Sequence, residues 1–216
     1  MLSINRVCSA LPTLLLLTLQ VQAETIALSH FATDGLIGWS EKSFYGQTQY
    51  SIVERNGDKV LLAQSNNSAS ALYKKIRIDL DKTPYLNWSW WVNNHLGDID
   101  EQQKEGDDYP ARVYVIIDGG VFFWKTRALN YVWSSNQPKG ATWPNAYTDN
   151  ARMMALETGS AYLRQWRSEK RNIRADLRQQ FGEDLRYIDG VAIMTDTDNS
   201  QGQAVTYYRN LFFSSE

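Results

Sequence analysis

Across 216 residues, 24 acidic side chains stand against 22 basic ones, for a formal net charge of −2 at pH 7. The two signs are interspersed, so there is no basic stripe of the kind that selects a phosphate backbone, and nucleic acid is not an expected partner. The one cysteine, Cys8, lies near the N-terminus, which excludes disulfides, thiolate metal sites and a cysteine nucleophile from everything after it.

The first element in chain order is a leader. Arg6 supplies a positive start, Leu11 to Leu19 an apolar run, and Val21-Gln22-Ala23 a small-x-small cleavage signal. The run is shorter than the roughly 20 residues that a membrane-spanning helix needs. The expectation is a signal peptide over residues 1–23, cleaved near Ala23, followed by a single domain over residues 24–216. No later stretch is apolar enough to span a membrane. That places the protein in the periplasm or outside the cell.

After the leader, periodicity favours strands. Tyr50 to Val53, Val60 to Ala63, Ala71 to Ile78 and Leu86 to Val92 are short β-branched or aromatic runs. Turn signals such as Asn56-Gly57-Asp58 and Asn66-Asn67-Ser68 separate them. Arg112 to Ile117 and Val121 to Lys125 flank Asp118-Gly119-Gly120, a hairpin signature because glycine supplies positive φ. The segment from Ala151 to Arg167 reads as strand or helix. One helix is expected at about residues 173–181, with Asn172 as its cap, Ile173, Leu177 and Phe181 on one face, and Gly182 as its stop. A last strand pair, Val191 to Thr195 and Ala204 to Phe213, encloses a polar loop from Asp196 to Gly202. The expected fold class is all-β, a single β-sandwich or jelly roll with one short peripheral helix.

Several motifs recur in a familiar order. They are Trp88-x-Trp90, then Lys104-Glu-Gly106-Asp107-Asp108-Tyr-x-Ala-Arg112-Val-Tyr114-Val, and later Gly159 and Trp166. Glu169-x-Arg171-Asn172-x-x-x-Asp176, Phe181-Gly182 and Met194-Thr-Asp196-Thr-Asp198-Asn199 complete the set. The pattern resembles an uncharacterised bacterial family, domain of unknown function 3047. That resemblance implies an exported β-sandwich similar to galactose-binding-like jelly rolls, and implies no established activity.

The candidate chemistry lies in aromatic and charged groups. Trp88 and Trp90 share one strand face and Trp91 takes the other, because side chains alternate with period two. Indoles are mostly buried, so these three read as core. Trp133 and Trp143 flank the turn-rich segment from Ser134 to Gly140, and for them sugar stacking and packing are equal expectations. Asp107, Asp108 and Arg112 come together in the next constellation. Asp108, Arg112 and Tyr114 share parity, so a structural Asp108–Arg112 ion pair is the favoured reading. Its rival has Arg112 gripping a uronate that Asp108 orients.

No catalytic motif stands out. The acidic stretch from Asp98 to Glu105 reads as a solvated loop rather than a glycosidase carboxylate pair. Serine hydrolysis lacks its Gly-x-Ser-x-Gly elbow, and His30 and His95 make no zinc pattern. No cofactor is expected. The one opening for a metal is a structural calcium ion held by Asp196, Asp198 and Asn199, against the favoured reading of a plain hairpin turn. The functional expectation is a non-catalytic protein that binds a glycan, acidic glycans included. The alternatives are a polysaccharide lyase or hydrolase using Asp108, Arg112 and Tyr114, and an envelope interaction module.

Overall fold

A computed structural model describes residues 23–121 and 125–216. The leader and most of the second arm of the Asp118-Gly119-Gly120 hairpin lie outside the described residues. The first strands are β1 (Thr25–Ala27), β2 (Ser40–Tyr45), β3 (Gln49–Arg55), β4 (Asp58–Asn66), β5 (Ala69–Asp79), β6 (Tyr85–Val92) and β7 (Ala111–Ile117). They are followed by β8 (Arg127–Ser134), β9 (Thr142–Asn145), β10 (Thr148–Thr158) and β11 (Arg167–Asn172). The helix α1 (Ile173–Phe181), β12 (Tyr187–Met194) and β13 (Gln203–Ser214) complete the order.

Two sheets result. One runs β11-β6-β13-β4-β3 with β1 added against β13, and the other runs β2-β5-β12-β7-β8-β10-β9. Pairing is antiparallel except between β8 and β10, which run parallel. The expected β-sandwich of jelly-roll kind is what the chain forms.

The core fills the space between the sheets. Leu61, Leu86, Trp88, Trp90, Val92, Tyr208 and Phe213 from one sheet meet Leu72, Val113, Val115, Leu129, Tyr131, Trp133, Met154, Val191 and Ile193 from the other. Trp88 packs edge-on against Trp90 at 5.5 Å between ring centroids and lies 5.3 Å from Tyr131. Trp91, on the opposite face of β6, is half-buried and lies under the Arg55 guanidinium at 3.8 Å. The period-two reading of this strand holds residue by residue.

Two β-bulges correct the parity of long strands. In β12 the register shifts between Ile188 and Gly190, so Ile188, Val191 and Ile193 all face the core. In β13 it shifts between Arg209 and Phe212, where Asn210 takes φ 56°. A bulge adds one unpaired residue and turns the side chains after it to the other face. The bulge in β12 therefore decides that Ala192 and Met194 point away from the core.

The ambiguous segment resolves partly into β10. Its Met154 and Leu156 reach the core while Met153 and Ala155 are buried on the other face, the alternation of a strand covered on both sides. The helix has the expected ends: the Asn172 side chain accepts from the Ala175 N–H at 3.0 Å, and Gly182 takes φ 74°. The sequence pattern does not mark β8, which carries Trp133 inward.

Truncating a core indole removes its transfer energy and leaves a cavity. Trp88→Ala is expected to cost roughly 3–5 kcal/mol, and Trp91→Ala clearly less. Urea denaturation of both variants measures the difference, and equal losses would contradict the assignment of faces.

Candidate functional site

The face of the seven-stranded sheet turned away from the core carries a cleft of about 460 Å³. Alternation puts Arg112 and Tyr114 of β7 on that face, because Ala111, Val113 and Val115 face inward. Register then aligns the neighbours: Met194 lies opposite Arg112, and Ala192 and Asn130 lie on either side of Tyr114. Ala69, Met194, Tyr114, Asn130 and Ala151 form a floor across adjacent strands. Asp107, Asp196, Asp198, Asn145 and Tyr147 line one end and Phe44 the other strand edge. Phe44 and Tyr147 are 61% and 56% exposed.

Arg112 is the centre of the polar network, and its partner is not Asp108. Its Nη2 lies 2.9 Å from Asp196 Oδ2 and 3.4 Å from Asp107 Oδ1, and also donates to the Asp107 carbonyl. Nη1 donates to the Tyr114 hydroxyl at 3.0 Å, and that hydroxyl donates to Met194 Sδ at 3.1 Å. The guanidinium also rests 4.1 Å from the Tyr109 ring centroid. The expected Asp108–Arg112 pair fails because β7 begins at Ala111, so strand parity does not extend back to Asp108. Asp108 is fully buried and accepts instead from the backbone N–H groups of Asn199 and Ser200, holding the loop after β12.

Trp133 and Trp143 are also not exposed binding surfaces. Trp133 faces the core, 6.1 Å from Trp90, with its N–H donated to the Gly159 carbonyl. Trp143 is 5% exposed and packs in a cluster with Tyr109, Val132, Met153 and Ala155. The turn-rich loop between them is anchored by these rings rather than rimmed by them, because inward parity on β8 and the fold of β9 against β10 cover both indoles. Of the aromatic groups exposed at the cleft, Phe44 lies near the end of β2 and Tyr147 in the turn between β9 and β10. Asn130 carried a clearer signal: it is the one amide in the apolar run Ala128-Leu129-Asn130-Tyr131-Val132.

Two atoms at the cleft lack a hydrogen-bond partner within the protein. The Asn130 side chain is 1% exposed, its Nδ2 donates to the Arg152 carbonyl at 3.3 Å, and its Oδ1 accepts nothing. Arg112 Nε is likewise unpaired. A buried, unsatisfied polar group costs about 1–3 kcal/mol. Tyr147, by contrast, is fixed despite its exposure. Its hydroxyl accepts from Asn199 Nδ2 at 2.7 Å and donates to the Lys104 carbonyl at 3.3 Å.

The electrostatics are crowded. Burial pushes the Asp196 carboxyl well above the usual carboxylate range, with Arg112 opposing and Asp108, Asp107 and Asp198 adding to the rise. Burial alone would lower Arg112, but Asp196, Tyr114 and Asp107 outweigh it and hold the guanidinium above its ordinary value. Burial also raises the Tyr114 phenol, which therefore keeps its proton and is a poor catalytic base. Asp198 is raised by burial and then by Asp108.

Asp108, Asp196 and Asp198 bring carboxylate oxygens within 4.8 Å of one another, three of the roughly six to eight oxygens that a calcium ion takes. Asp196 already holds Arg112, and Asp108 already accepts two backbone N–H groups. The Asn199 side chain donates its amide to Tyr147, outside that triad.

A family model, Protein of unknown function (DUF3047), matches residues 37–212. The chain belongs to that family. No curated protein sequence matches it. Among solved structures it is similar to a carbohydrate-binding module of the β-sandwich superfamily at 9% identity and a TM-score of 0.44, over 84% of this chain and 58% of that one. The chain thus spans little more than half of that structure. It is also similar to the family 30 carbohydrate-binding module of a Clostridium thermocellum cellulosomal cellulase (10% identity, 83% of this chain, 92% of that one, TM-score 0.48). The xyloglucanase domain of NopAA from Sinorhizobium fredii is similar at 12% identity, over 83% of this chain and 94% of that one, with a TM-score of 0.45. These likenesses concern the fold.

Removing one partner of a buried ion pair strands the other. Arg112→Ala is expected to cost about 3–5 kcal/mol, and the pair Arg112→Met with Asp196→Leu to recover most of it. Chemical denaturation of the three proteins measures this, and a single variant as stable as the parent would contradict the pairing.

Asp198 allows a pH test. A carboxyl whose folded pKa is raised favours the folded state at low pH and loses that contribution as pH rises through the raised value. Asp198→Asn removes the like-charge contact with Asp108, so its melting temperature should exceed the parent's at neutral pH. The difference should vanish once pH falls below the ordinary carboxylate range.

Proposed function

We propose that the protein binds carbohydrate in this cleft. The observation that carries the reading is Asn130, a buried amide on the cleft floor whose Oδ1 is unpaired within the protein. A ligand hydroxyl reaching that oxygen would satisfy it. The rest of the site suits a sugar. The volume lies within the range of roughly 300–1,000 Å³ usual for ligand sites, and polar groups converge over a floor of small and apolar side chains. Phe44 and Tyr147 stand at opposite sides, each with one ring face near a lysine ammonium (Lys42 at 5.1 Å and Lys104 at 5.4 Å from the centroids), and the apolar C–H face of a pyranose would pack on the other face.

The leader-like residues 1–23 support a periplasmic or secreted location. No helix among the described residues is long and apolar enough to cross a membrane. The cleft lacks a serine elbow or histidine, and its phenol and guanidinium are committed to each other, which supports binding over turnover.

A glycan array probed with the purified protein tests the reading, followed by titration of the retained glycans. Tyr147→Ala and Phe44→Ala should each weaken binding roughly threefold to tenfold, the scale of one aromatic stack. Their melting temperatures should stay close to the parent's, because both rings are exposed. Retention of no glycan, or affinities untouched by both substitutions, would overturn the proposal.

A further inference from the structure

The charge inside the cleft narrows the kind of carbohydrate. Among its lining residues, Asp107, Asp196 and Asp198 carry carboxyls and Arg112 the one cationic group. Arg112 is 5% exposed, with both terminal nitrogens engaged by Asp196, Asp107 and Tyr114. It has no free fork to offer a uronate, which rules out the acidic-ligand grip that residue types alone suggest. No lysine lines the cleft itself, and the nearest ammoniums, Lys42 and Lys104, sit at its rims over the Phe44 and Tyr147 rings. An anionic ligand would meet surplus negative charge of the kind that rejects wrong partners by repulsion.

Asp198 is the carboxyl of the three that Arg112 does not pair. Asp107 is matched by Arg112 and by Asn145, whose Nδ2 donates to both carboxylate oxygens at 3.0 and 2.9 Å. Asp196 shares that same Arg112, at 2.9 Å. Asp198 is half-buried, forms no ion pair among the described residues, and lies against the like-charged Asp108. Asn130 Oδ1, on the floor of the same cleft, is an independent unpaired acceptor. A partner that satisfies both must bring hydrogen-bond donors and a positive charge.

We propose that the cleft takes a glycan carrying free amino groups, an N-deacetylated amino-sugar chain, with an ammonium at Asp198 and a hydroxyl or amine at Asn130. This rests on the carbohydrate-binding reading above and names its ligand class. The ammonium supplies three donors and the missing charge, and a hydrogen bond to a charged group is about twice as strong as a neutral one.

Isothermal titration in mildly acidic, low-salt buffer with three oligosaccharides of equal length tests it: a glucosamine oligomer, its fully N-acetylated form, and a galacturonate oligomer. The glucosamine oligomer should bind about tenfold or more tighter than the acetylated one, and the galacturonate should not bind. In Asp198→Asn the ratio between the first two should fall towards one, with no loss of melting temperature to confuse the result. Equal binding of the uronate, or an undiminished ratio in Asp198→Asn, overturns the ligand class while leaving carbohydrate binding in place. Failure of the glucosamine oligomer to bind while the array retains another glycan does the same. An array that retains nothing overturns both proposals. Added calcium that raises the melting temperature and abolishes the amine preference would assign the carboxylates to an inorganic cation and overturn the ligand class.

Discussion

One buried guanidinium organises this molecule's polar face. Arg112 draws together segments distant in sequence: the loop before β7 through Asp107, and the end of β12 through Asp196. Without such a counter-charge, neither carboxylate could be buried in ionised form at tolerable cost. The network continues from there without interruption. Asp196 exchanges contacts with the Tyr109 backbone, Tyr109 packs on Trp143, and Asp108 grips the loop that presents Asn199 to Tyr147. The exposed ring at the cleft edge is thus held, through a short series of contacts, by the same ions that close the floor.

That arrangement is conditional in a way a hydrophobic core is not. Leucine can replace valine in a core at modest cost, since shape is negotiable there. Two buried carboxylates sharing one cation are not negotiable, because each desolvated charge depends on the others. The sandwich carries the stability through its tryptophan-rich interior, and the outer face is where the molecule tolerates unfavourable electrostatics. Unpaired acceptors and crowded carboxylates away from the core support the binding reading proposed above.

Much of the fold was legible because its signal is local. Trp88, Trp90 and Trp91 alternate as a strand must, Asn172 and Gly182 bound the helix, and glycine-rich turns punctuate the strands. The site was legible only in part. Arg112, Asp108, Asp196, Asp198 and Tyr114 were singled out from residue type, yet Arg112 was matched with the wrong carboxylate. Parity was carried through a loop that is not extended, and the true partner lies 84 residues along the chain, beyond the reach of any local rule. Trp133 and Trp143 misled for a related reason. They border a turn-rich loop, and proximity to a loop says nothing about which sheet face a ring occupies. The bulge in β12, which decides which residues reach the cleft, leaves only one mark in sequence, Gly190 within an apolar run, where a Cβ would crowd the Lys74 carbonyl.

The sheet edges have a consequence for how the molecule behaves among its own copies. Each sheet ends in open strands, β11 and β3 in one and β2 and β9 in the other. Exposed backbone edges invite addition of a further strand from a neighbour. Here β11 carries Arg167, Glu169, Lys170 and Arg171, β2 carries Glu41 and Lys42, β3 carries Glu54 and Arg55, and β9 contains Pro144. Proline lacks the N–H a new strand would need, and stacking identical strands in register would align like charges. Such borders disfavour edge-to-edge polymerisation of the molecule's own copies.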